Sequence, residues 1–224
     1  MSLLRILLDN HLSSALLLAS IAYALFQWSR TGAPRRPLFR LLGVLLALVL
    51  GVELAGAWTS RTGVNNSLMY NAFLPIEYAI LLAMVAMVRP RWRGAVITAA
   101  IAGVAVFGWS VFTVDMGRFL MIEALLFLAL ILTLFAMAVL FHLAQTCTEP
   151  LPQVPEFWFF LGLLAYFGSI LPIVGIARYL YAQDPGLTYG LWTLVPIMSS
   201  LRYLLAAEAC RRERAWHPEG REQQ

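Results

Sequence analysis

Apolar residues gather into seven long runs separated by short polar breaks, at about 11–29, 38–58, 71–88, 94–113, 119–143, 157–178 and 188–210. A helix needs about 20 such residues to cross the hydrocarbon layer of a bilayer, and each run is about that long. The pattern predicts an all-α fold, a polytopic bundle of seven transmembrane helices forming one domain over residues 1–224, with 211–224 as a basic tail. Composition agrees: 61% of residues are apolar and 12% charged, where an ordinary soluble domain carries about a quarter. Seven spans leave roughly 80 of the 224 residues for loops and tails. That excludes an attached kinase, nucleotide-binding or DNA-binding module and places function inside the bundle or with a partner.

The charges give this bundle a direction. All sixteen basic residues are arginine, and the absence of lysine excludes a retinal Schiff base, which needs an intramembrane amine. The net charge of +4 is read as membrane topology and not as nucleic-acid binding. Arg30, Arg35, Arg36 and Arg40 follow the first run, Arg89, Arg91 and Arg93 the third, and Arg211, Arg212, Arg214 and Arg221 the last. An odd number of crossings puts these eleven on one face, against Arg5, Arg61, Arg118 and Arg178 on the other. The positive-inside rule then predicts a cytoplasmic C-terminus and an outside N-terminus. Trp28, Trp58, Trp92, Trp109, Trp158 and Trp192 fall at or beside run ends, where indole rings favour the headgroup level. The first run is preceded by a single arginine, Arg5, and followed by the basic cluster, so it is read as a retained helix, not a signal peptide. Cys147 and Cys210 come out on the reducing cytoplasmic side, so no disulfide is expected.

Small residues and breakers suggest how the helices meet. Gly43, Ala47, Gly51 and Ala55 form a four-residue-spaced ridge in the second run, read first as a packing face for a neighbouring helix of the same chain. Pro172 and Pro196 are expected to kink the sixth and seventh spans.

Charged side chains inside the hydrocarbon layer cost about 2.5–3.5 kcal/mol each, so they need partners, protonation or a wet cavity. Glu53, Glu77 and Glu123 each lie a few residues from an outer run end, and at about 1.5 Å per residue they share one depth. Asn65, Asn66, Tyr70, Asn71, Tyr78, Asp115, Arg118 and Arg178 surround that layer, and Arg202, His142 and Glu208 form a separate inventory on the inner side. Tyr70, Glu77 and Met84 repeat every seven residues and so share one helix face. One reading is internal neutralisation of the three glutamates by Arg118 and Arg178 or by the asparagines. The other is an outward-facing site for a cation, a proton or a small polar ligand, lined by Glu53, Asn66, Tyr70, Asn71, Glu77, Glu123 and Arg178. His11, His142 and His217 share no depth, which leaves no cofactor or metal site and no catalytic residue to assign.

The stretch Asn66-x3-Tyr70-Asn71-x-Phe73-x2-Ile76-Glu77, with Pro155-Glu156-Phe157-Trp158 and Gly162-x3-Tyr166-Phe167 further on, resembles a family of small bacterial seven-helix integral membrane proteins of uncharacterised activity. The resemblance implies that Asn66, Tyr70, Asn71 and Glu77 are signature positions. Such proteins look like companions of two-component signalling systems, which implies sensing. Four hypotheses follow: a sensory or signalling-accessory protein with an outer acidic pocket and a cytoplasmic or membrane partner, a small transporter or proton-coupled carrier, an intramembrane enzyme using Glu77 and Glu123, and a structural assembly subunit.

Overall fold

The computed structural model describes residues 10–32, 36–181 and 191–215, and within these it is helical throughout apart from the connections. Seven long helices follow one another: α1 (Asn10–Ser29), α2 (Pro37–Arg61), α3 (Ser67–Val88), α4 (Arg93–Thr113), α5 (Ile122–Thr146), α6 (Pro155–Tyr181) and α7 (Leu194–Ala215). The first six contain stretches long and apolar enough to cross a membrane. Arg202, Glu208 and the arginines at its end keep α7 out of that class. The start of the seventh apolar run, at 188–190, lies outside the described residues, as does the tail beyond Ala215. The bundle is that of a multi-pass membrane protein, six of whose helices qualify as spans.

The helices close into a ring. α1 packs against α2 and α7, α6 lies between α5 and α7, and α3 touches both α2 and α5, with α4 outside the α3–α5 contact. The ring encloses fully buried Ile21, Phe39, Leu46, Leu81, Met84, Leu128, Phe160 and Leu163. Its outside is equally apolar: Val104 is 73% exposed and Phe112 89%, and Ile97, Ile101, Leu134 and Phe141 also point outward. A water-soluble domain does not carry so continuous a greasy surface, whereas lipid tails cover it at no cost.

Glycines set the closest approaches. A side chain at Gly162 of α6 meets the Arg202 carbonyl of α7 at 3.1 Å, so hydrogen at this position lets the two backbones touch. Gly43 receives the Trp28 ring, whose Nε1 donates to the Phe39 carbonyl at 2.6 Å and ties α1 to α2. The rest of the small-residue ridge departs from expectation. Ala47, Gly51 and Ala55 are exposed, and a Cβ at Gly51 meets nothing within 4 Å. The ridge curls around α2 instead of facing a neighbour, because four-residue steps advance slightly more than one helical turn.

Both ends of the bundle are tied. At the arginine-rich end, Arg36 ahead of α2 donates from Nε to Glu213 near the end of α7 at 2.7 Å and from Nη1 to Glu156 at the start of α6 at 2.6 Å, with a further bond from Nη2 to Glu213. Burial works against the Arg36 charge, but the two carboxylates outweigh it and hold the guanidinium pKa above its ordinary value. Nearby, Trp92 and His142 rings pack with centroids 6.3 Å apart, and neither Cys147 nor the fully buried Cys210 is in a disulfide. At the opposite end Trp58 and Trp109 are each 71% exposed, as interfacial tryptophans are.

Candidate functional site

Three short helix segments build the polar interior. Glu53 sits eight residues before the end of α2, Glu77 ten residues after the start of α3, and Arg202 eight residues after the start of α7. At about 1.5 Å per residue all three lie roughly 12–15 Å from the same end of the bundle. There Arg202 Nη1 donates to Glu77 Oε1 at 2.7 Å, with the Arg202 side chain 4% exposed. The aromatic rings of Tyr166, Phe167 and Tyr203 lie 5.1, 5.1 and 5.3 Å from the guanidinium carbon, within cation–π range. Arg202 Nη2 is buried with no hydrogen-bond partner. Glu53 accepts a hydrogen bond from the Tyr70 hydroxyl at 3.2 Å, and Gly56 makes room for that ring.

Between these groups lies a cavity of about 280 Å³. Every helix but α4 contributes to its wall: Leu17, Val49 and Glu53, then Tyr70, Phe73 and Glu77, then Met121 and Leu125, then Tyr166, Phe167 and Ile170, and finally Trp192, Pro196, Ser199 and Tyr203. All sit toward the end opposite the arginine clusters. The backbone there is irregular. Leu191 and Trp192 are helical, Thr193 is in a turn, and α7 begins at Leu194. Pro196 therefore falls in the first turn of α7, where its missing N–H costs nothing, and does not kink that helix as expected. Pro75 and Pro172 do lie inside helices, α3 and α6, and each removes one backbone bond beside the cavity.

Of the seven residues read as a site from sequence, the structure brings Glu53, Tyr70, Asn71 and Glu77 to the cavity. Asn71 lines it, yet its amide is fully engaged with the α4–α5 connection. Nδ2 donates to the carbonyls of Met116 and Phe119 at 3.0 and 2.8 Å, and Oδ1 accepts from the Met121 N–H at 3.0 Å. Asn71 thus clamps the loop that forms one cavity wall. Asn66 precedes α3 without a side-chain capping bond and does not reach the cavity. Glu123 is exposed in the first turn of α5, where the helix dipole favours a carboxylate. It is not part of the layer because α5 begins at Ile122, three residues later than the apolar run. The side chain of Arg178, in α6, lies outside the described residues.

The surrounding inventory also sorts itself. Tyr78 turns away to α4, where its hydroxyl donates to the Ala99 carbonyl at 3.0 Å and its ring fills the space over Gly103. Asn65 donates to the Arg118 carbonyl at 3.1 Å, and Asp115 closes its own turn by accepting from the Gly117 N–H at 3.1 Å. Arg118 stacks on Phe119, and among the described residues it forms no ion pair with a glutamate. Arg202, assigned from sequence to the inner side, is the partner of Glu77. The signal that finds it is the length of α7: counted from Leu194 and not from 188, Arg202 falls at the depth of Glu53 and Glu77. Ser199 and Tyr203, on the same face of α7, have no other sequence signature.

No protein-family model, curated protein or solved structure matches the chain.

Proposed function

We propose that the protein is a sensory or signalling-accessory protein of the bacterial inner membrane, with seven spans, an outside N-terminus and a cytoplasmic C-terminus. In this reading the cavity beneath the outer surface receives a small ligand, and the arginine-rich inner face meets a partner that carries the output. The observation that carries it is the course of α7. One helix lines the cavity through Pro196, Ser199 and Tyr203, anchors Arg202 on Glu77, and carries Glu213 into the Arg36 network at the opposite end. A ligand that shifts α7 at one end therefore loads a charged junction at the other. Coupling of this kind needs two arrangements of a packed element that a ligand can bias.

The test is a Glu77→Gln variant that still folds, compared with unmodified protein in cells for the output of the signalling proteins it associates with. Loss of response supports the reading, and an unchanged response contradicts it. The resemblance through Asn66, Tyr70, Asn71 and Glu77 points the same way.

A second reading, a small carrier, draws on Pro172, which interrupts α6 beside the cavity, since interrupted helices at mid-depth are the usual architecture of transport sites. Flux into proteoliposomes that depends on Glu53 or Glu77 supports the carrier, and no flux across a broad panel of small ions and amines contradicts it.

A further inference from the structure

Among the described residues, the carboxylates at the cavity outnumber the cation beside them. Glu77 is neutralised by Arg202 at 2.7 Å. Glu53 faces the same space and receives one hydrogen bond, from Tyr70 at 3.2 Å. An ionised carboxylate offers about four acceptor positions, so a single phenol leaves most of its capacity open. Asn71 has nothing to add, because both of its amide ends are committed to the α4–α5 connection. Apart from Ser199, the remaining wall is apolar or aromatic, with Phe73, Leu125, Ile170 and Trp192 among its members.

That arrangement discriminates between ligand classes. An anion meets Glu53 directly, while no arginine stands among the described lining residues, and Arg202 nearby is paired with Glu77 through Nη1 and ringed by three aromatic side chains. A bare divalent metal ion wants about six oxygen ligands, and among the described residues no three acidic, histidine or cysteine side chains gather to supply them. A neutral apolar molecule fills the volume but leaves a buried carboxylate without compensation, which is costly. An organic cation meets every requirement: one positive charge for Glu53, aromatic faces that attract it, and an apolar body for the rest of the wall.

We infer that the cavity binds a protonated amine with a compact aryl or alkyl body, its ammonium on Glu53 beside Tyr70. This rests on the reading of the cavity as a ligand site. The volume of about 280 Å³ equals that of roughly nine liquid waters, enough for one ring and a short ammonium arm.

The experiment is calorimetric titration of the purified full chain with three probes of one shape and different charge: 2-phenylethylammonium, 2-phenylethanol and phenylacetate. The ammonium is expected to bind at least about tenfold more tightly than the alcohol, with the carboxylate weakest. Glu53→Gln should bring the ammonium down to the level of the alcohol and leave the alcohol unchanged. Alcohol or phenylacetate binding as tightly as the ammonium to unmodified protein overturns the cation assignment while keeping the cavity a ligand site. No binding by any of the three overturns both. The charge series on unmodified protein decides the matter even where the Glu53 variant does not fold.

Discussion

Arg202 and Glu77 form the ion pair on which the interior depends. Two buried charges held at 2.7 Å support one another, but removal of either strands its partner in a poorly hydrated interior. Arg202→Ala is therefore expected to cost about 3–5 kcal/mol, read as a large loss of thermal stability in detergent. Replacing both residues by methionine removes the stranded charge and should recover much of that loss, which a double-mutant comparison measures directly. Asn71→Ala, by contrast, loses three hydrogen bonds to the α4–α5 connection, at about 1 kcal/mol each. It should speed hydrogen exchange of the Met116–Met121 backbone more than that of the helices, and uniform exchange would contradict a clamp. At this scale Glu53, Tyr70, Asn71 and Glu77 were legible in the sequence because polar atoms inside an apolar run need a reason. Their partners were not. The link from Arg202 to Glu77 joins residues 125 positions apart, and no periodicity within one helix reports it.

Helix contacts turn on single atoms at Gly162 and on open space at Gly51. A side chain at Gly162 runs into the α7 backbone at 3.1 Å, which cannot give way as a flexible side chain does, while one at Gly51 enters open surface. Gly162→Leu should lower stability by at least about 1–3 kcal/mol through overpacking, and Gly51→Leu should leave it within experimental error. Equal effects of the two substitutions on melting temperature would contradict the placement of α6 and α7. The helices themselves were legible from their apolar runs, and the observed boundaries differ from the expected ones by a few residues at most of their ends. Those few residues decided two assignments. The later start of α5 moved Glu123 out of the polar layer, and the later start of α7 moved Arg202 into it. Run ends are poorly marked because Phe119, Leu120 and Met121, though apolar, belong to the connection and not to the helix.

Across the whole molecule, the arginine clusters, the Arg36–Glu156–Glu213 junction and the His142–Trp92 contact occupy one end, and the residues that line the cavity lie toward the other. Arg36→Ala leaves Glu156 and Glu213 without their shared cation. Since the junction is partly exposed, the cost is expected near 1 kcal/mol. Its larger effect should be on partner binding, measured by pull-down from membranes. The closed ring could not be read from the sequence, because which helices become neighbours depends on contacts such as Gly162 on α7 and Trp28 on Gly43. The central claim is an outward-facing cavity on α7, and Ser199, which lines it, reports on this most directly. With Cys147 and Cys210 replaced by alanine, Ser199→Cys should react with a membrane-impermeant cationic thiol reagent added outside right-side-out vesicles, and organic cations should protect it. Reaction only in inverted vesicles would contradict the account.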